Sequence, residues 1–242
     1  MKGLLRWLLL LVLAGVALQL FFVLRIALAT VVDPQSTTFQ RSEAWRIAVE
    51  RNRFRWRQQW VPYERISGHL KRAVIASEDD GFANHEGVDW EAIEKAWEKN
   101  ARAEERAARR ANLRSNARPP RIVGGSTITQ QLAKNLLLSG ERTLLRKGQE
   151  MVLTFALEAL LSKQRILEIY LNSVEWGEGV FGAEAAARHY WHKPASQLSA
   201  YEAARLAVML PRPRYFERVP NSGYLANRAQ TILARMRSAE LP

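Results

Sequence analysis

The feature that most limits the fold of this chain is an apolar segment near its N-terminus. From Leu8 to Leu24 the residues read LLLLVLAGVALQLFFVL, with Gln19 as the one polar side chain, and apolar character resumes after Arg25 through Val32. A run of about 20 apolar residues is long enough to cross the hydrocarbon core of a bilayer. We therefore predict a short N-terminal segment (1–7), a transmembrane anchor (8–32), a juxtamembrane connection (33–59) and a globular domain (60–242).

A cleaved signal peptide is the alternative interpretation of the same segment. The sequence Ala27-Leu28-Ala29 resembles a small-x-small cleavage site. The apolar region of a signal peptide is, however, only about 7 to 15 residues long, so the anchor is favoured. Basic residues lie on both sides of the run, and the positive-inside rule therefore gives no clear orientation.

Charge and composition limit the partners without selecting one. The chain carries 36 Lys and Arg against 24 Asp and Glu, a net charge of +12. This excess favours an acidic or phosphate-bearing partner, or an anionic membrane surface. With 48% apolar and 25% charged residues, the chain is neither disordered nor a multi-span transporter. The absence of cysteine excludes disulfides, thiolate metal sites and a cysteine nucleophile.

The pattern of the remaining chain is helical. From Ile66 onward apolar residues recur at helical spacing, and no alternating strand pattern extends over six residues, so we expect a mostly α domain. Residues 51–65 place arginines between aromatics, which fits either a segment lying on the membrane surface or a basic linker whose aromatics pack on the domain. The basic run 98–121 can extend a helix until Pro119 and Pro120 stop it, and we expect a mobile flap there.

A cluster of carboxylates directly follows an apolar helix turn. Ser77-Glu78-Asp79-Asp80 comes after the sequence AVIA, and His85 follows five residues later. A carboxylate that leaves an apolar helix and enters a cleft is partly desolvated, which raises its pKa and suits it to acid or base catalysis. Glu78 is the first candidate. The alternative is a solvated helix end with His85 as a packing residue.

A glycine pair precedes a second helix. In Gly124-Gly125-Ser126-Thr127-Ile128-Thr129-Gln130-Gln131, Thr127 and Gln130 form the S/T-x-x-Q capping box. Free amide groups at such a helix start favour an anion. Two other interpretations stay open: an ordinary capped helix, and half of a helix-turn-helix, since TITQQLAKNLLL in a basic protein is compatible with DNA binding.

Two further segments combine charge with helical spacing. Arg146, Lys147 and Glu150 share one helix face, which by itself indicates a salt bridge. In residues 163–172 the spacing places Glu168 and Asn172 on a helix with apolar neighbours, and binding of backbone groups near helix ends is the simpler role for both.

Together these segments resemble the peptidoglycan glycosyltransferases. The resemblance rests on E-D-x-x-F-x-x-H-x-G at 78–87, GGSTITQQLAKN at 124–135, R-K-x-x-E at 146–150 and K-x-x-I-L-E-x-Y-L-N at 163–172, in this order. A looser match follows at 202–207. No S-x-x-K followed by K-T-G is present, so the chain is similar to the monofunctional, membrane-anchored form without a transpeptidase domain.

The resemblance implies a lysozyme-like glycosyltransferase domain with a small membrane-associated lobe. It implies lipid II and the nascent glycan strand as substrates, with Glu78 as the base that deprotonates the acceptor hydroxyl and with inversion at the donor carbon. Lys134, Arg146 and Lys147 would stabilise the diphosphate leaving group. Substrate-binding positions carried over from the family are Asp79, Phe82, His85, Ser126, Thr127, Gln130, Gln131 and Asn135, and Glu168, Tyr170 and Asn172 are either structural or part of the site.

Glu150 is the second carboxylate of the family, and three roles stay open for it. It would orient the cations, hold a divalent ion such as Mg²⁺ or Mn²⁺, or assist departure of the leaving group. No other cofactor and no dedicated set of metal ligands is expected. The resemblance also implies membrane lipids and other cell-wall synthesis and division proteins as partners, no nucleic acid, and a single-pass protein of the bacterial inner membrane with its catalytic domain on the periplasmic side.

Two other functions compete with this interpretation. A lytic enzyme of lysozyme type uses a similar fold and a glutamate, but it needs no cations for a leaving group. A membrane-tethered nucleic-acid-binding protein explains the charge, but it leaves Glu78 and Glu150 without a role.

Overall fold

The computed structural model describes residues 2–52, 54–111, 124–138, 140 and 143–242, and it confirms the mostly α fold class. The α-helices are α1 (Lys2–Leu28), α2 (Thr38–Arg51), α3 (Gly68–Glu78), α4 (Trp90–Ala111), α5 (Ile128–Leu137), α6 (Leu144–Leu160), α7 (Lys163–Ser173), α8 (Ala183–Trp191), α9 (Ala200–Met209), α10 (Pro213–Arg218) and α11 (Gly223–Arg235). Short 3₁₀ turns lie at Tyr63–Arg65 and Ala195–Gln197.

The structure also contains a small β-sheet that the sequence pattern did not predict. It consists of β1 (Arg57–Gln58), β2 (Glu175–Gly177) and β3 (Val180–Phe181) in the order β1-β3-β2, with β1 parallel and β2 antiparallel to β3. Strands of two or three residues are too short for an alternating pattern to be seen. At Gly182, which leads into α8, φ is +83° and an added Cβ would lie 2.6 Å from the Asn172 carbonyl oxygen, so only glycine fits there.

The hydrophobic core fixes the helix that ends in Glu78. Leu70, Val74 and Ile75 of α3 are fully buried, as the apolar spacing predicted. Helix α3 packs on α9 and α11, while α5 packs on α6 and α7. Each fully buried aliphatic side chain contributes about 1.5–3 kcal/mol. The core therefore holds α3 against α9 and α11, and with it the position of Glu78 at the end of the helix.

Helix α1 has the length and composition of a membrane span, with a mean hydropathy of 2.6 over its most apolar window. It begins at Lys2 and ends at Leu28, so both boundaries lie before those expected for the anchor. Its outer part is exposed, whereas Phe22 and Ile26 are buried and join the core of the domain together with Ala29. The last turns of the apolar helix thus belong to the folded domain.

The juxtamembrane connection is more ordered than expected, because α2 occupies much of it. Helix α2 begins with a capping box formed by Thr37 and Gln40, and it packs on α5. Trp56 contacts the ring of Phe181 at 5.3 Å between centroids, while Phe54 is exposed. The aromatics of this segment therefore divide between the domain and the surface. Arg53 lies outside the described residues.

The basic run begins as helix, as the sequence suggested. Helix α4 continues to Ala111. The rest of the expected flap, with Arg114, Arg118, Arg121 and the two prolines, lies outside the described residues.

Candidate active site

Glu78 is the last residue of α3 and lies partly buried at the rim of a cavity. The Gln131 side-chain amide on α5 donates a hydrogen bond to Glu78 Oε2 at 3.1 Å, and the Ser77 hydroxyl donates to Oε1 at 3.4 Å. Burial raises the pKa of Glu78 above its ordinary value, and the two hydrogen bonds partly oppose this. A carboxylate with a raised pKa is a stronger base than a solvated one.

Tyr170 sets the orientation of the Gln131 amide. The Tyr170 hydroxyl donates to Gln131 Oε1 at 3.0 Å, and Tyr170 itself is only 1% exposed. Because the amide oxygen accepts from Tyr170, the amide nitrogen is the atom left to face Glu78. A residue of α7 thus fixes, through α5, the donor that points at the end of α3.

Asp79 and His85 hold the site together rather than line it with free groups. Asp79 is 7% exposed, and its two oxygens contact His85 Nε2 at 2.8 Å and the Ile128 backbone N–H at 2.9 Å. His85 Nδ1 accepts from the Gly87 N–H at 3.1 Å. Both ring nitrogens and both carboxylate oxygens are therefore engaged within the protein. Substrate binding by Asp79 and His85 therefore stays a prediction: both side chains contact groups of the protein, and Asp79 also lines the Glu78 cavity.

Phe82 is also placed differently from the expectation. Its ring is fully buried, and the Lys163 ammonium lies over it at 4.7 Å from the centroid. A buried ring with a cation on its face packs the loop after α3. Phe82 has no exposed surface to offer a substrate.

The start of α5 is capped by the protein itself. Thr127 and Gln130 form the capping box predicted from the sequence. The Asp79 carboxylate accepts from the Ile128 N–H, and the Thr127 hydroxyl donates to the Gly87 carbonyl at 2.6 Å. The anion expected at this helix start is thus the side chain of Asp79, which joins the first two motifs.

The helix-turn-helix interpretation of α5 is wrong. A recognition helix must present its side chains to a DNA groove. Most of α5 is buried instead, including Ile128, Leu132 and Leu136.

Glu150 lies on α6 between two cations. It is 4% exposed, accepts from Arg146 Nη1 at 2.9 Å, and accepts from Lys147 through its other oxygen. Arg146 Nε is buried without a hydrogen-bond partner. A buried carboxylate with both oxygens engaged in this way orients its cations. The salt bridge that the helical spacing indicates is therefore present, with both cations on the one carboxylate.

Three cavities surround the first turns of α5. The cavity at Glu78 has a volume of about 230 Å³, and a second cavity of about 430 Å³ is lined by Gln131, Lys134 and Arg146, with Asn135 beside them. A third, of about 510 Å³, is lined by Gln130 and Lys147, and it shares Gly125 and Ser126 with the Glu78 cavity. The three cations therefore do not converge: Lys134 and Arg146 face one cavity, and Lys147 faces another.

Three lining residues had no signal in the sequence. Lys95 and Lys99 of α4 line the Glu78 cavity, and Glu175 lines the Arg146 cavity. Arg214 donates two hydrogen bonds to Glu175, at 2.9 and 3.0 Å, while burial raises the pKa of Glu175. Lys95 and Lys99 lie on α4 and Glu175 lies on β2, so the three-dimensional fold rather than a local pattern brings them to the cavities.

Glu168 and Asn172 bind backbone groups, in agreement with the simpler interpretation. Asn172 exchanges two hydrogen bonds with the backbone of Val61, at 2.9 and 3.0 Å. Glu168 accepts from the Tyr63 N–H at 3.1 Å and from Arg165 at 2.7 Å. Both side chains fasten the segment before α3 onto α7.

A divalent cation would need a group of ligands that the described part of the chain does not assemble. Within the described residues, no group of three or more His, Asp or Glu is arranged to hold a metal ion. Mg²⁺ needs oxygen ligands in near-octahedral order, and both oxygens of Glu150 are already bound by Arg146 and Lys147.

The site thus combines a carboxylate with a raised pKa, Glu78, and, across Gln131, a cavity lined by Lys134 and Arg146. The family model described as "Transglycosylase" matches residues 47–237. The chain is 54% identical over 229 residues to a biosynthetic peptidoglycan transglycosylase of Burkholderia thailandensis, covering 95% of this chain and 84% of the relative. It is 51% identical over 243 residues to one of Herminiimonas arsenicoxydans, covering 100% and 99%.

The chain belongs to the transglycosylase family. The resemblance to the monofunctional peptidoglycan glycosyltransferases, inferred from four motifs, is confirmed by these matches.

Proposed function

We propose that this transglycosylase polymerises lipid II into linear glycan strands of peptidoglycan, with Glu78 as the general base. The observation that carries the proposal is the position of Gln131. Its side chain holds the Glu78 carboxylate, and it also lines the cavity that contains Lys134 and Arg146. Glu78 thus lies on one side of Gln131, and Lys134 and Arg146 lie on the other. This arrangement suits attack of the acceptor hydroxyl on one side of the donor carbon and departure of the diphosphate on the other.

The acceptor hydroxyl is activated at Glu78. The carboxylate takes the proton from the 4-hydroxyl of the acceptor N-acetylglucosamine, and the oxygen attacks C1 of the donor muramoyl sugar. The bond from C1 to the undecaprenyl diphosphate breaks with its electrons on the leaving oxygen, and the configuration at C1 inverts. The raised pKa of Glu78 favours proton uptake.

Lys134 and Arg146 stabilise the diphosphate as its charge increases. Fixed cations in a partly enclosed cavity stabilise developing negative charge more strongly than the same cations in bulk water. Glu150 restrains Arg146 by a hydrogen bond of 2.9 Å, so the guanidinium is held in place before the reaction. Lys147 faces the neighbouring cavity and assists from there.

The proposed reaction also implies a location, because cell-wall strands are polymerised outside the cytoplasm. Helix α1 spans the inner membrane once, residues 1–7 stay in the cytoplasm, and the domain from residue 60 onward works at the periplasmic face. The burial of Ala29 in the core supports a retained anchor over a cleaved signal peptide, because cleavage there would remove core residues. Exposed Leu144 and Leu145 at the start of α6 fit contact of a small lobe with membrane lipid.

Polymerisation from purified lipid II tests the proposal. The full chain in lipid and detergent should form glycan strands that a gel resolves, and Glu78→Gln should lower turnover by about 10² to 10⁴-fold. Glu50→Gln, an exposed glutamate distant from the cavities, is the matched control and should keep full activity. More than about a tenth of the wild-type turnover in Glu78→Gln would exclude Glu78 as the base. Release of fragments from finished strands, with no polymer formed, would indicate a lytic enzyme instead.

A further inference from the structure

The one polar side chain of the apolar run is paired with the domain. Gln19 and Gln149 exchange two hydrogen bonds, from Gln19 Nε2 to Gln149 Oε1 at 2.8 Å and from Gln149 Nε2 to Gln19 Oε1 at 3.0 Å. The neighbours Leu18 and Leu20 are exposed, whereas Gln19 is partly buried. In a hydrocarbon environment an amide without a hydrogen-bond partner costs free energy. Each of the two glutamine side chains is therefore expected to stay bound to the other.

Gln149 stands within the charged part of α6. It follows Lys147 by two residues and directly precedes Glu150. Successive residues of an α-helix are about 100° apart around its axis, so a directional contact at Gln149 fixes the rotation of α6. That rotation decides which cavities Arg146 and Lys147 face.

The end of the anchor is fastened separately. Arg165 of α7 donates to the carbonyl of Ala29 at 2.9 Å and to the carbonyl of Val32 at 3.2 Å, and it pairs with Asp33 at 2.8 Å. Phe22 and Ile26 fill the core between this clamp and the glutamine pair. The attachment of α1 to the domain therefore does not depend on Gln19. The hydrogen-bonded pair of Gln19 and Gln149 has another role.

We propose that Gln19 is a positioning residue for the cations of α6. The amide pair holds α6 at one rotation against the anchor, and so keeps Arg146 directed at the cavity where the leaving group departs. The inference rests on the proposed function for the role of Arg146. A membrane-spanning helix that contributes a positioning side chain is thus part of the catalytic arrangement, in addition to tethering the domain.

Substitution of Gln19 in the full chain separates positioning from attachment. Gln19→Leu should lower turnover by about three- to tenfold, the size expected for one interhelical contact in a membrane. The half-saturating concentration of lipid II should change by less than about twofold, because the binding surface is intact. Val16→Leu, at an exposed position one turn earlier, is the matched control and should behave as wild type. A loss confined to apparent affinity would overturn the proposal.

The double variant distinguishes two causes of lower turnover: loss of the directional contact between α1 and α6, and an amide left without a hydrogen-bond partner. In Gln19→Leu with Gln149→Leu no polar group is stranded, but the directional contact is still missing. Turnover should stay as low as in Gln19→Leu. Full recovery would show that the single variant suffered only from the stranded Gln149, and the proposal would fail.

Cross-linking gives a readout that does not depend on catalysis. The chain has no cysteine, so Gln19→Cys with Gln149→Cys offers one pair of thiols to a short bifunctional methanethiosulfonate. We expect an intramolecular link and partial recovery of turnover on linking, while Leu18→Cys with Gln149→Cys should link poorly. No link in the first pair would overturn the inference. Failure of the proposed function would give a different result. The two cysteines would still link, but neither the linked variant nor the wild type would form glycan strands from lipid II.

Discussion

At the scale of single residues, the chemistry of Glu78 depends on partners that are distant in the sequence. Gln131 donates to its carboxylate, and Tyr170 orients Gln131. The sequence identified all three as members of family motifs. It gave no indication that they form one chain of hydrogen bonds, because their order in space comes from the packing of α3, α5 and α7.

The pH dependence of the reaction should report on this chain of contacts. Because the pKa of Glu78 is raised by burial, the base form is lost as the pH falls through a value above that of an ordinary glutamate. The acidic limb of kcat/KM should therefore lie above the ordinary range. Gln131→Leu removes a donor to the charged form, so it should move the limb to still higher pH and lower turnover by about tenfold.

The comparison variant for this measurement is Gln230→Leu, at an exposed position of α11. Its pH profile should match that of the wild type. The role of Gln131 as a hydrogen-bond donor to the Glu78 carboxylate would be contradicted by one result. In that result the acidic limb of kcat/KM lies in the ordinary glutamate range and does not shift in Gln131→Leu.

At the scale of elements, α5 and α6 carry the cations on facing surfaces. Their capping residues were predictable, since Thr127 with Gln130 is a local pattern. The division of Arg146 and Lys147 between two cavities was not predictable, because helix geometry turns adjacent residues apart but does not show where neighbouring elements leave cavities. For the same reason the sequence did not show that Asp79 caps the start of α5 or that Phe82 is fully buried.

Neutralising the cations should affect the chemical step. If Lys134 and Arg146 stabilise a diphosphate whose charge grows as the bond breaks, their effect is larger in the transition state than in the bound lipid. Lys134→Met and Arg146→Lys should each lower turnover by about tenfold or more, with a smaller change in half-saturating lipid II. Arg146→Lys keeps the charge but loses the planar fork that contacts two phosphate oxygens.

Arg188→Lys provides the control, since Arg188 forms a similar ion pair with Glu184 away from the cavities. It should leave turnover unchanged. The opposite result is near-normal turnover in Lys134→Met and Arg146→Lys, with a loss of apparent affinity for lipid II that fades in added salt. It would show that Lys134 and Arg146 only attract the anionic lipid to the protein.

At the scale of the whole molecule, the helical class, the long apolar N-terminal helix and the family were all predictable from the sequence. The helix α2 and the small sheet were not. Helix α2 lies in a polar stretch with little amphipathic pattern, and it is stabilised by its packing on α5 and by the bond from Gln40 to the Ser173 carbonyl at 3.0 Å. Tertiary contacts, rather than local pattern, fix both features.

The topology of the chain can be measured with reporters. Within the described residues α1 is the one helix suited to span a membrane, so everything after it should lie on one side. A reporter enzyme active only in the periplasm should be active when fused after Pro242. Activity of a cytoplasm-only reporter at the same position would contradict both the orientation and the proposed reaction.

The docking of α1 on the domain has a consequence for sequence variation along that helix. Positions before Gln19 face outward and need only be apolar, so exchanges among Leu, Val, Ile and Phe should be tolerated there. From Gln19 to Ala29 the same helix meets α6, the core and Arg165, and shape as well as hydropathy is constrained. Exchange of the anchor for that of an unrelated membrane protein should therefore be neutral only when the junction lies before Gln19.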